Sequence, residues 1–227
     1  MELVHNFLGA LELTGAAKAV KRIVLVTGAK QYGAHLGIAK TPMVETDPWL
    51  TGKAWPPNFY YDQQEAVRAF CDRNATASWV VTYPNDAIGF AKGNFMNLAT
   101  TLGIYAAVTK ELGRDLVFPG SPAFYTKFDC FTSAVLHAQF CVWAALEPRA
   151  VNQAFKVVNG DTESWQNLFP LLANRFGLKV KPDQFQGSSG YENSTGDMAP
   201  QPPLAKRAAE LGLLGTVEPS KVEQLLI

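Results

Sequence analysis

Apolar residues recur at helical spacing from Leu3 to Val20, then give way to an unbroken apolar run, Ile23-Val24-Leu25-Val26. The first pattern predicts an amphipathic helix and the second a buried strand. A long loop containing Gly and Pro follows, from Gly28 to Pro57. Asn58 is a good N-cap for a helix running to about Asp72. Trp79-Val80-Val81-Thr82-Tyr83 reads as a second buried strand, ended by Pro84. A helix is expected over Phe95–Leu112, with Gly113 placed to cap it. Leu116-Val117-Phe118 is a third short strand, stopped by Pro119-Gly120.

The pattern continues with a helix over Thr132–Leu146, a fourth strand at Phe155-Lys156-Val157-Val158, and a helix over Glu163–Phe176. Pro170 falls inside that last helix and predicts a kink or a shorter second piece. From Lys179 to Pro203 the chain turns polar and rich in Gly, Ser, Gln and Pro, the composition of a flexible loop or lid. Leu204–Leu211 reads as a short helix before a tail. Short apolar strands alternating with helices argue for an α/β fold, a parallel sheet covered on both faces. The domain is expected over residues 1–178, with the loop at 179–203 and the short helix and tail at 204–227. Four strands are few for a doubly wound sheet, so the chain reads as one part of such a fold.

Composition narrows the function classes. Lys plus Arg and Asp plus Glu both number 20. With the charges balanced and no basic run, neither nucleic acid nor an anionic membrane is an expected partner. Three scattered cysteines, Cys71, Cys130 and Cys141, suit neither a disulfide framework nor a metal site, and no metal is expected. A reducing cytoplasm is the default location. The N-terminus lacks the basic start of a signal peptide, and the longest uncharged runs, Gly93–Thr109 and Cys130–Leu146, are too short and too polar to span a bilayer.

Thr27-Gly28 at a strand end, followed by Gly33 and Gly37, invites a nucleotide-binding reading. The spacing misses the dinucleotide fingerprint, and Ile38-Ala39-Lys40-Thr41-Pro42 cannot open the long helix against which a pyrophosphate would sit. A later strand of the same kind of sheet is the better reading. Lys30, just past the strand tip, stands where open α/β sheets bind ligands. Tyr60 and Tyr61 open the next helix. Read singly, the lysine is an ordinary surface residue and the tyrosines are core aromatics. Together they form an acid/base pair, in which a lysine near a phenol lowers its pKa toward working pH and the phenol stabilises a developing enolate oxygen. The usual helical form, Tyr-x-x-x-Lys, is excluded, because Gln64 and Glu65 stand four residues after Tyr60 and Tyr61. His5, His35 and His137 are isolated, and Gly120-Ser121-Pro122 lacks the glycines of a nucleophile elbow.

The segments GAKQYG, NFYYDQQE, WVVTYPNDAIGFAKGNFMN, FPGSP and NQAFKVVNGDTESW carry a more specific signal. In that order and spacing they resemble the progesterone 5β-reductase/iridoid synthase-like family (PRISE), a divergent branch of the extended short-chain dehydrogenases/reductases, and its fungal members in particular. The resemblance covers Arg22 to Lys179. It implies a Rossmann-like sheet whose first βαβ units, and part of whose C-terminal substrate region, lie outside this chain. It implies Tyr60 and Lys30 as catalytic residues, and Thr27, Gly28, Tyr83, Pro84 and Ile88 along the cofactor. Tyr61, Phe124, Tyr125 and Phe128 would stand near the substrate, although core packing accounts for the last three equally well. The expected activity is NADP(H)-dependent reduction of an α,β-unsaturated carbonyl or ketone on a small apolar molecule, in secondary metabolism, with NAD(H) the other candidate cofactor. A homodimer is left open. An NAD-dependent epimerase or dehydratase and a catalytically silent fragment serving as an interaction module are the alternatives.

Overall fold

A computed structural model describes residues 2–185 except 37, 38, 92 and 95. Most of the loop expected at 179–203, and the helix expected at 204–211, lie outside the described residues. The chain divides into two compact units, one formed by residues 1–86 and 132–159 and the other by 87–131 and 160–227.

The first unit is built on three parallel strands in the order β1-β2-β6: β1 is Arg22–Val26, β2 is Ser78–Pro84 and β6 is Gln153–Val157. Val24 pairs with Val80, and Thr82 with Phe155. Side chains alternate between faces along a strand, so apolar runs without polar alternation bury both faces. On one face Ile23, Leu25 and Trp79 pack with Leu8 of α1 (Glu2–Leu13) and with Val67 and Phe70 of α2 (Phe59–Arg73). On the other, Val24, Val80 and Phe155 meet Phe140 and Ala144 of α5 (Ala134–Leu146). Both crossover helices were expected from the sequence, as was the parallel sheet. The helix expected over Leu3–Val20 ends at Leu13, and residues Ala16–Ala19 form a separate 3₁₀ turn beginning after Gly15.

In the second unit β3 (Ala87–Ile88) precedes α3 (Leu98–Glu111) and α4 (Pro122–Thr126). β4 (Phe128–Asp129) pairs antiparallel with β7 (Glu163–Ser164), which leads into α6 (Trp165–Phe176). The two-residue β5 (Thr132–Ser133) belongs to the first unit and leads into α5. The core of the second unit gathers Ala106, Leu116, Phe118, Trp165, Phe169 and Ala173. The expected third strand is corrected: Leu116-Val117-Phe118 joins no sheet among the described residues. Leu116 makes an isolated parallel bridge to Val180, its N–H donating to Lys179 O at 2.8 Å and its carbonyl accepting from Lys181 N at 3.1 Å. An apolar triplet cut off by Pro119-Gly120 is long enough to be buried and too short to extend a ladder. Helix α6 runs through Pro170 as one element and ends at Gly177, whose positive φ of 68° suits a residue without Cβ.

Candidate active site

The site grows from the carboxyl end of β1. Past Val26 the backbone enters a 3₁₀ turn at Ala29–Tyr32 and another at Ala34–Leu36. Gly33 joins them at φ 74°, and its N–H donates to Lys30 O at 3.1 Å. This turn is held against the start of α2 by one side chain. Asn58 Oδ1 accepts from Tyr60 N at 3.1 Å, capping the helix, while its amide nitrogen donates to Lys30 O at 2.8 Å. The first helical turn and the lysine turn are thereby one construction.

Tyr60 uses that placement to lay its ring over the strand tip. A Cβ on Gly28 would lie 3.4 Å from the Tyr60 hydroxyl and 3.4 Å from Pro84 O. The hydroxyl therefore sits where the ends of β1 and β2 meet. Burial raises the Tyr60 phenol above its ordinary range. The expected lowering by lysine is corrected here. The Lys30 ammonium is exposed and lies 6.0 Å from the centroid of the Phe59 ring, which in turn contacts the Tyr60 ring at 4.4 Å between centroids. Lysine and phenol are thus both neighbours of one phenylalanine ring, and desolvation governs the phenol. At neutral pH Tyr60 is a protonated donor rather than a phenolate.

Three expected ligand contacts turn inward. Tyr61 is buried, stacks on Trp49 at 4.5 Å, donates its hydroxyl to Gln31 O at 2.7 Å and accepts from Leu50 N at 3.0 Å. Tyr83 is buried, with its hydroxyl donating to Gln64 Oε1 at 3.1 Å. The Thr27 hydroxyl donates to Thr82 O at 3.2 Å. Burial and committed hydroxyls make these three the frame of the site. Gly28 and Pro84 remain at the strand tips. Ile88, Phe124, Tyr125 and Phe128 belong to the second unit. There Phe124 and Phe128 are exposed, and Tyr125 packs against Phe118 at 5.0 Å and Phe185 at 5.2 Å.

Sequence reasoning missed Phe59, Gln31, Gln64 and His35. Gln64 is fully buried on the inner face of α2, and its amide nitrogen donates to Gln31 Oε1 at 2.7 Å. The signal available in the sequence was a polar residue on the helix's apolar stripe. His35 lines a small surface depression together with Gly33, Leu36, Leu50, Trp55, Pro56 and Asn58. Partial burial, and then the Lys30 ammonium, lower its pKa. His137 and Cys141 are neighbours at 3.5 Å, and the half-buried His137 ring is also 2.9 Å from the Thr82 hydroxyl.

Among the described residues no group of His, Cys, Asp or Glu is arranged to hold a metal, and no helix is long and apolar enough to cross a membrane. The described residues also do not fit the pyrophosphate of a dinucleotide. β1 runs into two short 3₁₀ turns, where a phosphate cradle needs a glycine turn opening a long helix.

Residues 5–195 match the model of the PRISE-like Rossmann-fold domain. An uncharacterized protein of Schizosaccharomyces pombe is 35% identical over 225 residues, covering 98% of this chain and 55% of the relative. An (S)-8-oxocitronellyl enol synthase of Nepeta cataria is 35% identical over 183 residues, 78% of this chain and 43% of the relative. A 3-oxo-Delta(4,5)-steroid 5-beta-reductase of Arabidopsis thaliana is 33% identical over 168 residues, 72% and 42% respectively. The chain spans about half the length of the curated relatives it matches. Among solved structures, RMD from Pseudomonas aeruginosa complexed with NADPH superposes with a TM-score of 0.55 at 16% identity, over 78% of this chain and 56% of the other. UDP-glucuronic acid 4-epimerase from Bacillus cereus in complex with NAD gives 0.56 at 15% identity, over 79% and 54%. At such identities these two establish the Rossmann fold alone.

Proposed function

The chain belongs to the PRISE-like Rossmann-fold family, and from that membership we propose that it serves an NADP(H)-dependent reductase of the α,β-unsaturated carbonyl or ketone of a small apolar molecule, with Tyr60 and Lys30 handling the proton. One observation carries the reading: the Tyr60 hydroxyl stands against Gly28 at the tip of β1, with its proton held by burial. In the reduction of an enone the carbonyl oxygen gains negative charge. A phenol O–H aimed at that oxygen stabilises the charge most as it develops, which is the condition for catalysis. Lys30, exposed at the same tip, supplies a positive charge to the same region and replenishes the proton through solvent. The pyrophosphate cradle is not among the described residues, so the chemistry assigned to them is the proton half of the reaction. The names of the enol synthase and steroid reductase relatives support the enone substrate class, and a secondary metabolite is the corresponding choice of molecule.

The test is consumption of NADPH with a small enone and, separately, chromatographic detection of product from a nucleotide sugar with NAD, because an epimerase or dehydratase returns the hydride it removes and leaves no net change in the cofactor. The proposal predicts turnover of the enone alone. It also predicts a rate lower by on the order of 10-fold to 100-fold in Lys30→Met, from loss of a positioned charge. Conversion of the sugar without the enone would assign the chain to epimerase or dehydratase chemistry, and turnover of neither would assign it to a silent module.

A further inference from the structure

We infer that Gln64 is the positioning residue of the candidate centre, holding the first turn of α2, with Tyr60, against the turn that carries Lys30. The inference rests on the proposed roles of those two residues and names a group that acts through them.

Gln64 has no exposed surface, and its inward-facing neighbours on α2 are Tyr61, Val67, Phe70 and Cys71. A buried amide left without partners costs about 1–3 kcal/mol, so burying one on this stripe requires full satisfaction. The amide nitrogen donates to Gln31 Oε1 at 2.7 Å and to Tyr60 O at 3.2 Å, while the amide oxygen accepts from Tyr83 Oη at 3.1 Å. The Tyr60 carbonyl can only accept, so it fixes the amide nitrogen on its side, which leaves the amide oxygen to accept from Tyr83 Oη. One side chain thereby joins three elements, of which two carry the proposed proton-handling residues. A methionine would fill the same volume with no desolvation cost. What glutamine adds is direction, which a fully satisfied buried polar group supplies and an apolar one does not. The position is also telling. Four residues after the tyrosine, a helical lysine would share its face. Here the lysine comes from the strand tip, and the amide at that position ties the two together.

The test is nuclear magnetic resonance of the full chain labelled at tyrosine Cζ, with Tyr60 assigned through Tyr60→Phe. In the wild type the Tyr60 signal is expected to titrate above the ordinary phenol range. In Gln64→Met, with far-ultraviolet circular dichroism unchanged, its neutral-pH shift moves and its titration falls toward that range, because the loosened ring takes up water. Gln64→Glu should recover the wild-type shift only at pH values where the introduced carboxyl is protonated and can again donate to Gln31, a pH dependence that a space-filling role would not produce. An unchanged Tyr60 signal in folded Gln64→Met overturns the inference. Should that variant not fold, Tyr83→Phe decides in the same way, because it deletes one hydrogen bond while keeping the ring against Tyr32. The readout needs neither cofactor nor turnover. A wild type that fails to reduce enones would therefore sink the proposed function while leaving the positioning role of Gln64 intact.

Discussion

With the Tyr60 hydroxyl and Pro84 O each 3.4 Å from where a side chain on Gly28 would begin, that position accommodates a methyl group at ordinary van der Waals contact. Gly28→Ala should fold and retain activity, whereas Gly28→Val should displace the phenol. A misplacement of about 1 Å costs on the order of 10²-fold in rate, and steady-state kinetics of the two variants beside their thermal unfolding would separate this from a folding defect. Tyr32 makes the opposite case. Its hydroxyl is buried without a hydrogen-bond partner among the described residues. Tyr32→Phe should raise stability by about 1 kcal/mol, measured by urea unfolding, because the desolvation of an unpaired hydroxyl is relieved. Residue identities were only partly legible in the sequence. Lys30 and Tyr60 could be named, but the state of the phenol could not, since it depends on burial against residues from both strand tips. Gln64 was visible only as the residue that breaks the Tyr-x-x-x-Lys pattern. Its partner Gln31 lies on another element, and no spacing rule connects them.

At the scale of elements, Asn58 is both cap and tie. Asn58→Ala removes the acceptor for Tyr60 N and the donor to Lys30 O. A lost cap costs about 1 kcal/mol, and hydrogen exchange should show faster opening in the first turn of α2 and at residues 29–33 than in β2. The strands β1, β2 and β6 and the start of α2 were legible because continuous apolar runs and an Asn before a helix have local causes. Leu116-Val117-Phe118 was misread as a sheet strand because its role is decided by Val180, far away in sequence. The early end of α1 at Leu13 was hidden by Ala16, Ala17 and Ala19, which continue a helical pattern while the backbone turns at Gly15 with φ 74°.

For the molecule as a whole, four shifted phenols among the described residues set an alkaline limit. Burial raises Tyr32, Tyr60, Tyr83 and Tyr105, with Tyr83 pushed up to about 12. Folded values above the unfolded one, about 10, mean that the folded chain holds these protons more tightly. Their contribution is complete below pH about 10 and is lost as pH rises through the folded values. The urea midpoint should therefore fall between pH 9.5 and 11.5, values set by about 10 as the ordinary phenol pKa, and fall less in Tyr32→Phe.

The central claim concerns one hydroxyl, and its neighbour in the sequence supplies the control. Tyr60→Phe and Tyr61→Phe each delete a single oxygen from adjacent rings of α2. In Tyr61→Phe the Gln31 carbonyl and Leu50 N–H lose a partner, so stability should drop by about 1–3 kcal/mol with the rate of enone reduction largely kept. In Tyr60→Phe the fold should hold, and the rate should fall by about 10²-fold to 10⁴-fold, the usual contribution of a positioned proton donor. Measuring kcat for both at neutral pH decides the matter: loss confined to Tyr60→Phe is the predicted result, and an unchanged kcat in Tyr60→Phe contradicts the account.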